Sequence, residues 1–186
     1  MATTSEIQVT EAYIGLLGRA PDPAGLAYWT DQLNKAVAAG QDATFALKKL
    51  TNDIALSPEF STGIGANVPS SGNPSQTQAD AIVTSLYQNL FERAPTQADL
   101  DYWTPQLTGG STTAPEMTLN LITAAQGNTA KPTDGEVLGY KQQASTYYVE
   151  TVPQDKYSAS SANNAVKDVK GPTTLADSKA ATDFVK

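Results

Sequence analysis

The chain has 186 residues, 40% of them apolar and 17% charged, with a formal net charge of −7; that is enough apolar material for a core, and no basic stripe is present to face a nucleic acid. Cysteine and histidine are both absent, which excludes Cys/His zinc sites, thiol nucleophiles and Ser-His-Asp triads. No apolar run approaches the roughly 20 residues of a membrane-spanning helix, and the start MATTSEIQVTEAY lacks the basic and apolar regions of a cleavable signal peptide, so neither membrane insertion nor a cleaved N-terminal signal is expected.

The first element is a helix. Ile7, Val9, Tyr13, Leu16 and Leu17 recur at helical spacing, and Gly18 suits a left-handed stop. A second helix opens at Asp22-Pro23, a side-chain oxygen cap followed by a proline at a position where no N–H is needed. Leu26, Trp29 and Leu33 then share one face, and Gly40 suits the end. A third helix is expected over about residues 42–56, with Phe45, Leu47, Leu50 and Ile54 inward. Ser57-Pro58-Glu59 opens a further turn by the same cap-and-proline logic. Residues 67–78, NVPSSGNPSQTQ, have linker composition, and Ser75 with Gln78 has the spacing of a capping box.

The chain then repeats itself. RAPDPAGLAYWTDQL (residues 19–33) returns as RAPTQADLDYWTPQL (residues 93–107), and at a constant offset of 74 residues 14 of 25 positions match between 9–33 and 83–107. Thr96 takes the cap role of Asp22, while Leu100, Trp103 and Leu107 repeat the apolar face. Gly109 suits the helix end, and Thr113 with Glu116 forms a capping box before a third helix. The repeat stops near residue 128. Thr133 and Glu136 again have capping-box spacing, ahead of a helix to about residue 150 whose end, TYYVETV, has strand-like composition. From Pro153 the chain is polar, with short helices expected near residues 163–170 and 175–185. The expected class is all-α: two tandem three-helix repeats over residues 1–68 and 77–130, a linker at 69–76, and a C-terminal helix with a polar tail over 131–186. That extension is a candidate assembly segment.

Trp29, Trp103, Leu26, Leu100, Leu33 and Leu107 are expected to be structural core. Tyr28 and Tyr102 point about 100° away from the tryptophans, toward Gln32 and Gln106. They fit either the rim of the core or a platform that stacks on a sugar ring. Arg19 and Arg93 fit either a structural role, bonding the last carbonyls of the first helix or a nearby carboxylate, or contact with an anionic glycan. Asp22 lies close to Arg19 but becomes Thr96 in the second copy, so an Arg–Asp pair there is not shared. Among Asp22, Asp31, Asp53 and Glu59, nothing singles out an acid and a nucleophile for glycoside chemistry. There is neither an EF-hand loop nor a calcium nonapeptide array, so calcium would sit in an irregular site. GIGAN (residues 63–67) lacks the spacing and lysine of a phosphate loop. No enzymatic activity and no required cofactor are expected.

The motif around RAP and L-x-Y-W, with SPEF at residues 57–60, resembles the DUF4214 domain of bacterial extracellular proteins. The resemblance covers roughly residues 5–62 and 80–127. It implies a non-catalytic helical module at the cell surface, in the company of type I secreted surface-layer proteins, calcium-binding repeat proteins and polysaccharide-modifying enzymes. Type I export would use an uncleaved C-terminal signal, and TDFVK at residues 182–186 has a compatible acid-then-apolar end. The expected function is structural: a secreted subunit of a surface layer or filament that assembles with itself. The alternative is an anchoring module that holds lipopolysaccharide or another surface glycan through Tyr28, Tyr102, Arg19 and Arg93.

Overall fold

The computed structural model describes residues 2–127 and 133–185. Its order is α1 (Thr4–Leu17), α2 (Pro23–Ala38), α3 (Ala43–Ile54), α4 (Pro58–Thr62), α5 (Gln76–Phe91), α6 (Gln97–Thr108), α7 (Ala114–Gly127), α8 (Asp134–Thr151), α9 (Ala159–Val166) and α10 (Pro172–Asp183). Short 3₁₀ turns follow α4 and α8. Among the described residues there is no strand, and the chain is all-α.

The caps fall where the sequence puts them. Asp22 accepts from Gly25 N–H and Thr96 from Asp99 N–H. Ser75 and Thr133 close full capping boxes with Gln78 and Glu136. Each such cap satisfies helix-end donors and contributes about 1 kcal/mol. Gly18 is left-handed, with φ 64°. At the end of α6 the left-handed residue is Gly110 rather than Gly109. The strand-like stretch of residues 146–152 is helical as far as Thr151, where α8 ends, and only Val152 is extended. The polar tail folds as α9 and α10, both packed on α8. The expected end of the second repeat near residue 128 lies outside the described residues.

The two copies interlock. Their first helices, α1 and α5, pack on each other, and α8 packs on both. Residues Val9 through Leu16 are buried without interruption, since α2, α3, α5, α7 and α8 all press on α1; a helix surrounded in this way has no solvent face. The α1–α5 crossing depends on a missing side chain. A Cβ on Gly15 would lie 2.5 Å from Thr118 Cγ2 and 3.2 Å from Leu90 Cδ2. Asn89 Nδ2 uses that closeness to donate to Gly15 O at 2.9 Å.

The residues expected in the core are buried to different degrees. Leu33, Trp103 and Leu107 are buried, while Leu26, Leu100 and Trp29 are half-buried and packed against the core. Phe45 is a correction: expected inward, it is 60% exposed. The buried stripe of α3 is Ala46, Leu50 and Ile54, four residues apart, and Phe45 sits one position, about 100°, off that stripe.

Candidate functional site: two arginine corners and a tyrosine groove

The repeated segment builds the same corner twice. After α1 the chain turns through Ala20-Pro21 into α2, and Arg19 folds back inside the turn. Its Nε and Nη2 donate to Glu59 Oε1 at 2.5 Å and Oε2 at 2.7 Å, and Nη1 donates to Ala20 O. The guanidinium lies over the Tyr13 ring at 5.1 Å and near the Tyr157 ring at 5.5 Å. In the second copy Arg93 makes the same fork with Asp134, at 2.8 and 2.7 Å, and lies 4.7 Å over Tyr87. The planar guanidinium suits both tasks, two-pronged carboxylate binding at its edge and stacking on its face.

The acid is therefore shared between copies, but it comes from 40 and 41 residues downstream rather than from Asp22. Ser57-Pro58-Glu59 and Thr133-Asp134 are each a helix-opening cap followed by an acid. Asp99 adds a second carboxylate at 3.2 Å from Arg93 Nη1. The repeated tyrosines join the corners to the repeated tryptophans: Trp29 and Trp103 each hold the neighbouring phenol, Tyr13 and Tyr87, below the level that burial alone would set. Burial pushes the Tyr87 phenol up to about 12, and its hydrogen bond to Asp99 adds to the rise.

The corners differ in cover. The chain's own tail seals the first. Ala20 N–H donates to Ala162 O at 3.1 Å, Asn163 Nδ2 to Gly18 O at 2.6 Å, and Ala24 N–H to Gln154 Oε1 at 3.0 Å. The Arg19 side chain is 9% exposed there; that of Arg93 is 37% exposed. Arg19, named as a glycan contact, is thus withdrawn from solvent and held by Glu59. Arg93 is more exposed, but the Tyr87 and Phe91 rings lie 4.7 and 5.9 Å from its guanidinium and its edge is committed to two carboxylates.

Tyr28 and Tyr102 lie outside both corners, 56% and 63% exposed. Each stands edge-on to its neighbouring tryptophan at 4.9 Å. Tyr28 rims a groove of about 450 Å³ between α2 and α3, with Trp29, Gln32, Gln41, Lys49, Asp53 and Leu56 on its walls. Lys49 Nζ pairs with Asp53 at 2.6 Å. The α2–α3 hairpin also carries Val37 and Phe45 exposed, and Leu56 in the turn after α3 is 81% exposed.

Another charged group was invisible in the sequence. Glu11 is 2% exposed, and among the described residues no cation pairs with it. Gln126 Nε2 donates to it at 2.8 Å and Gln142 Nε2 bonds the same oxygen. Burial pushes its carboxyl up from the ordinary 4.5 to about 7, against the pull of the two amides. Among the described residues no group of three or more His, Cys, Asp or Glu is gathered as a metal would need, and no helix is long and apolar enough to cross a membrane.

These features define an all-helical protein built on two copies of one Arg-Ala-Pro corner motif. The chain belongs to the family described as Domain of unknown function (DUF4214), whose model matches residues 2–47 and 51–129. No curated protein and no solved structure matches it.

Proposed function

We propose that the protein is a non-catalytic structural subunit of the bacterial cell exterior, which assembles with copies of itself into a surface layer or filament. The observation that carries this reading is the α2–α3 hairpin. With the turn that follows α3, it bears Tyr28, Val37, Phe45 and Leu56, four of the seven large apolar side chains left exposed among the described residues. Apolar surface gathered on one element is a mark of an interaction face rather than of ordinary surface. The resemblance to surface-layer-associated domains supports the same reading, together with export by a type I route.

The test is electron microscopy of the purified protein, with millimolar calcium and with chelator, beside a Phe45→Glu/Leu56→Glu variant. Ordered sheets or filaments that the variant fails to form support the assembly. Dispersed monomers of the native protein under both conditions overturn it. A dependence on calcium would identify bridging ions between subunits.

A second reading rests on the groove. An exposed tyrosine beside Gln32, Gln41 and the Lys49–Asp53 pair offers a stacking face and polar partners of the kind a surface glycan needs. In that reading Tyr28 is the principal contact, and Tyr102 stands alone on the second copy. Loss of lipopolysaccharide retention in Tyr28→Ala, with helicity intact, would favour it.

A further inference from the structure

The groove between the first two helices of each copy is closed in one copy and open in the other. In the first copy Ala2, Glu6 and Leu26 form two of its sides. There α8 lays Thr146, Val149 and Glu150 along the third, and about 140 Å³ is left. At the offset of 74 residues the counterparts of Ala2, Glu6 and Leu26 are Gln76, Asp80 and Leu100. These line a groove of about 400 Å³ whose walls, with Gln97, Asp101 and Pro105, all belong to α5 and α6. The repeat itself says what covers such a groove, namely a helix laid along its mouth.

The open groove is acidic. Asp80 accepts from Thr104 Oγ1 at 2.5 Å and Asp101 from Gln97 Nε2 at 2.8 Å. Neither carboxylate is in an ion pair among the described residues. Leu100 and Pro105 give the groove apolar surface. A helix that fits it carries apolar side chains with cations between them. The exposed face of α3 has that pattern. Phe45, Lys48, Lys49 and Asn52 are exposed along it, and Leu56 continues the row in the turn that follows, at spacings of three or four residues that share one helix face. Lys49 shares its charge with Asp53, whereas Lys48 is in no ion pair among the described residues.

Stripe and groove lie on different surfaces of the chain, since α3 packs on α1, α2 and α7, and α6 packs on α5. Copies that each carry a net charge of −7 repel one another, so a contact between them must set cations against acids. We propose that the α5–α6 groove of one copy receives the Phe45–Leu56 stripe of a second copy. Phe45 and Leu56 then meet Leu100 and Pro105, while Lys48 and Lys49 face Asp80 and Asp101. The contact is head-to-tail. Each copy offers one stripe and one groove, so the copies join into a filament or a ring. This inference rests on the assembly reading above and names its contact.

The experiment is sedimentation velocity on two variants of the full chain, alone and mixed. Phe45→Ser/Leu56→Ser removes the stripe and leaves the groove. Gln97→Lys/Asp101→Lys reverses the charge of the groove and leaves the stripe. All four positions are exposed, and circular dichroism checks that both variants stay helical. Each variant alone is expected to associate at least about tenfold more weakly than the native chain. An equimolar mixture is expected to form a one-to-one pair, because each variant supplies the surface that the other lacks. A groove variant that assembles as the native chain does, or a mixture that stays monomeric, overturns the proposal while the assembly reading stands. Failure of the native chain to associate overturns that reading and this proposal with it.

Discussion

Lys141, at the middle of α8, reaches Glu92, the residue that ends α5, and both side chains are almost wholly buried. Lys141 Nζ also donates to Asn89 O at 2.7 Å, so a cation sits on the negative end of the α5 dipole. The first copy has Gly18 at the position of Glu92. Both are left-handed, with φ 64° and 52°, and there a side chain costs about 1–2 kcal/mol. The second copy bears that strain and gains a link to the C-terminal helices. Glu92→Gly should relieve the strain and orphan a buried ammonium, for a net loss of about 2 kcal/mol. Lys141→Met should be similarly costly, while the double variant should recover most of the stability. Urea unfolding of the four proteins checks the cycle.

The Arg19 and Arg93 forks should differ in worth. Glu59→Gln removes the charge from a nearly enclosed guanidinium and should cost about 2 kcal/mol. Asp134→Asn should cost about 1 kcal/mol, because Arg93 is more exposed and retains Asp99 at 3.2 Å. Thermal melts followed by circular dichroism should rank the two variants in that order. Equal losses would mean that the tail adds nothing to the first corner.

Glu11 makes stability depend on pH. Its folded value of about 7 lies above its ordinary 4.5, so between those limits the folded state holds a proton that the unfolded state has lost. Stability is therefore full below 4.5, falls as pH rises through the window, and levels off above 7, by a total of about 3 kcal/mol. Glu11→Gln keeps an oxygen for Gln126 and Gln142 without the charge. It should flatten the difference between about pH 5 and about pH 8 and be the more stable protein at the upper end. Denaturant curves for both proteins at the two pH values give the comparison.

Gly15→Ala tests the interlock of the copies. The added methyl meets Thr118 and Leu90 where α1, α5 and α7 converge, and should cost about 1–3 kcal/mol. Gly40→Ala, whose new Cβ meets nothing within 4 Å, should cost about 1 kcal/mol through its left-handed φ alone. Calorimetric midpoints separate the two effects.

Tyr28→Ala and Tyr102→Ala should leave the fold within about 0.5 kcal/mol of native stability, as changes at exposed positions do. Near-UV circular dichroism and thermal melts check this. An unfolded variant would mean that the tyrosine brace on Trp29 or Trp103 is structural.

The sequence revealed what is local. Asp22, Thr96, Ser75 and Thr133 announce helix starts because a cap acts within three residues of itself. The Leu-Trp-Leu faces are legible because a helix repeats its geometry every few residues. What escaped were relations across the chain. The acid for Arg19 lies in another helix, and in the second copy SPEF becomes TDGE, which hides that Asp134 does the work of Glu59. The usable signal was there: an acid within two residues of a helix-opening hydroxyl, at nearly the same distance after each RAP. Glu11 escaped because its burial is imposed by α7 and α8, whose arrival beside α1 no local pattern foretells. Phe45 was misplaced because a short helix fixes its inward face to within about one residue only.

The tail's hold on the first corner also bears on how the molecule is made. Asn163 and Gly18, which meet there, are separated by 145 residues. Closing a loop of that length comes late in folding. A growing chain therefore carries the RAP turn of its first repeat unsealed until residues 154–163 have appeared. Those residues act as a latch on a turn made well before them, and a chain cut short near residue 150 would leave the Arg19 corner open.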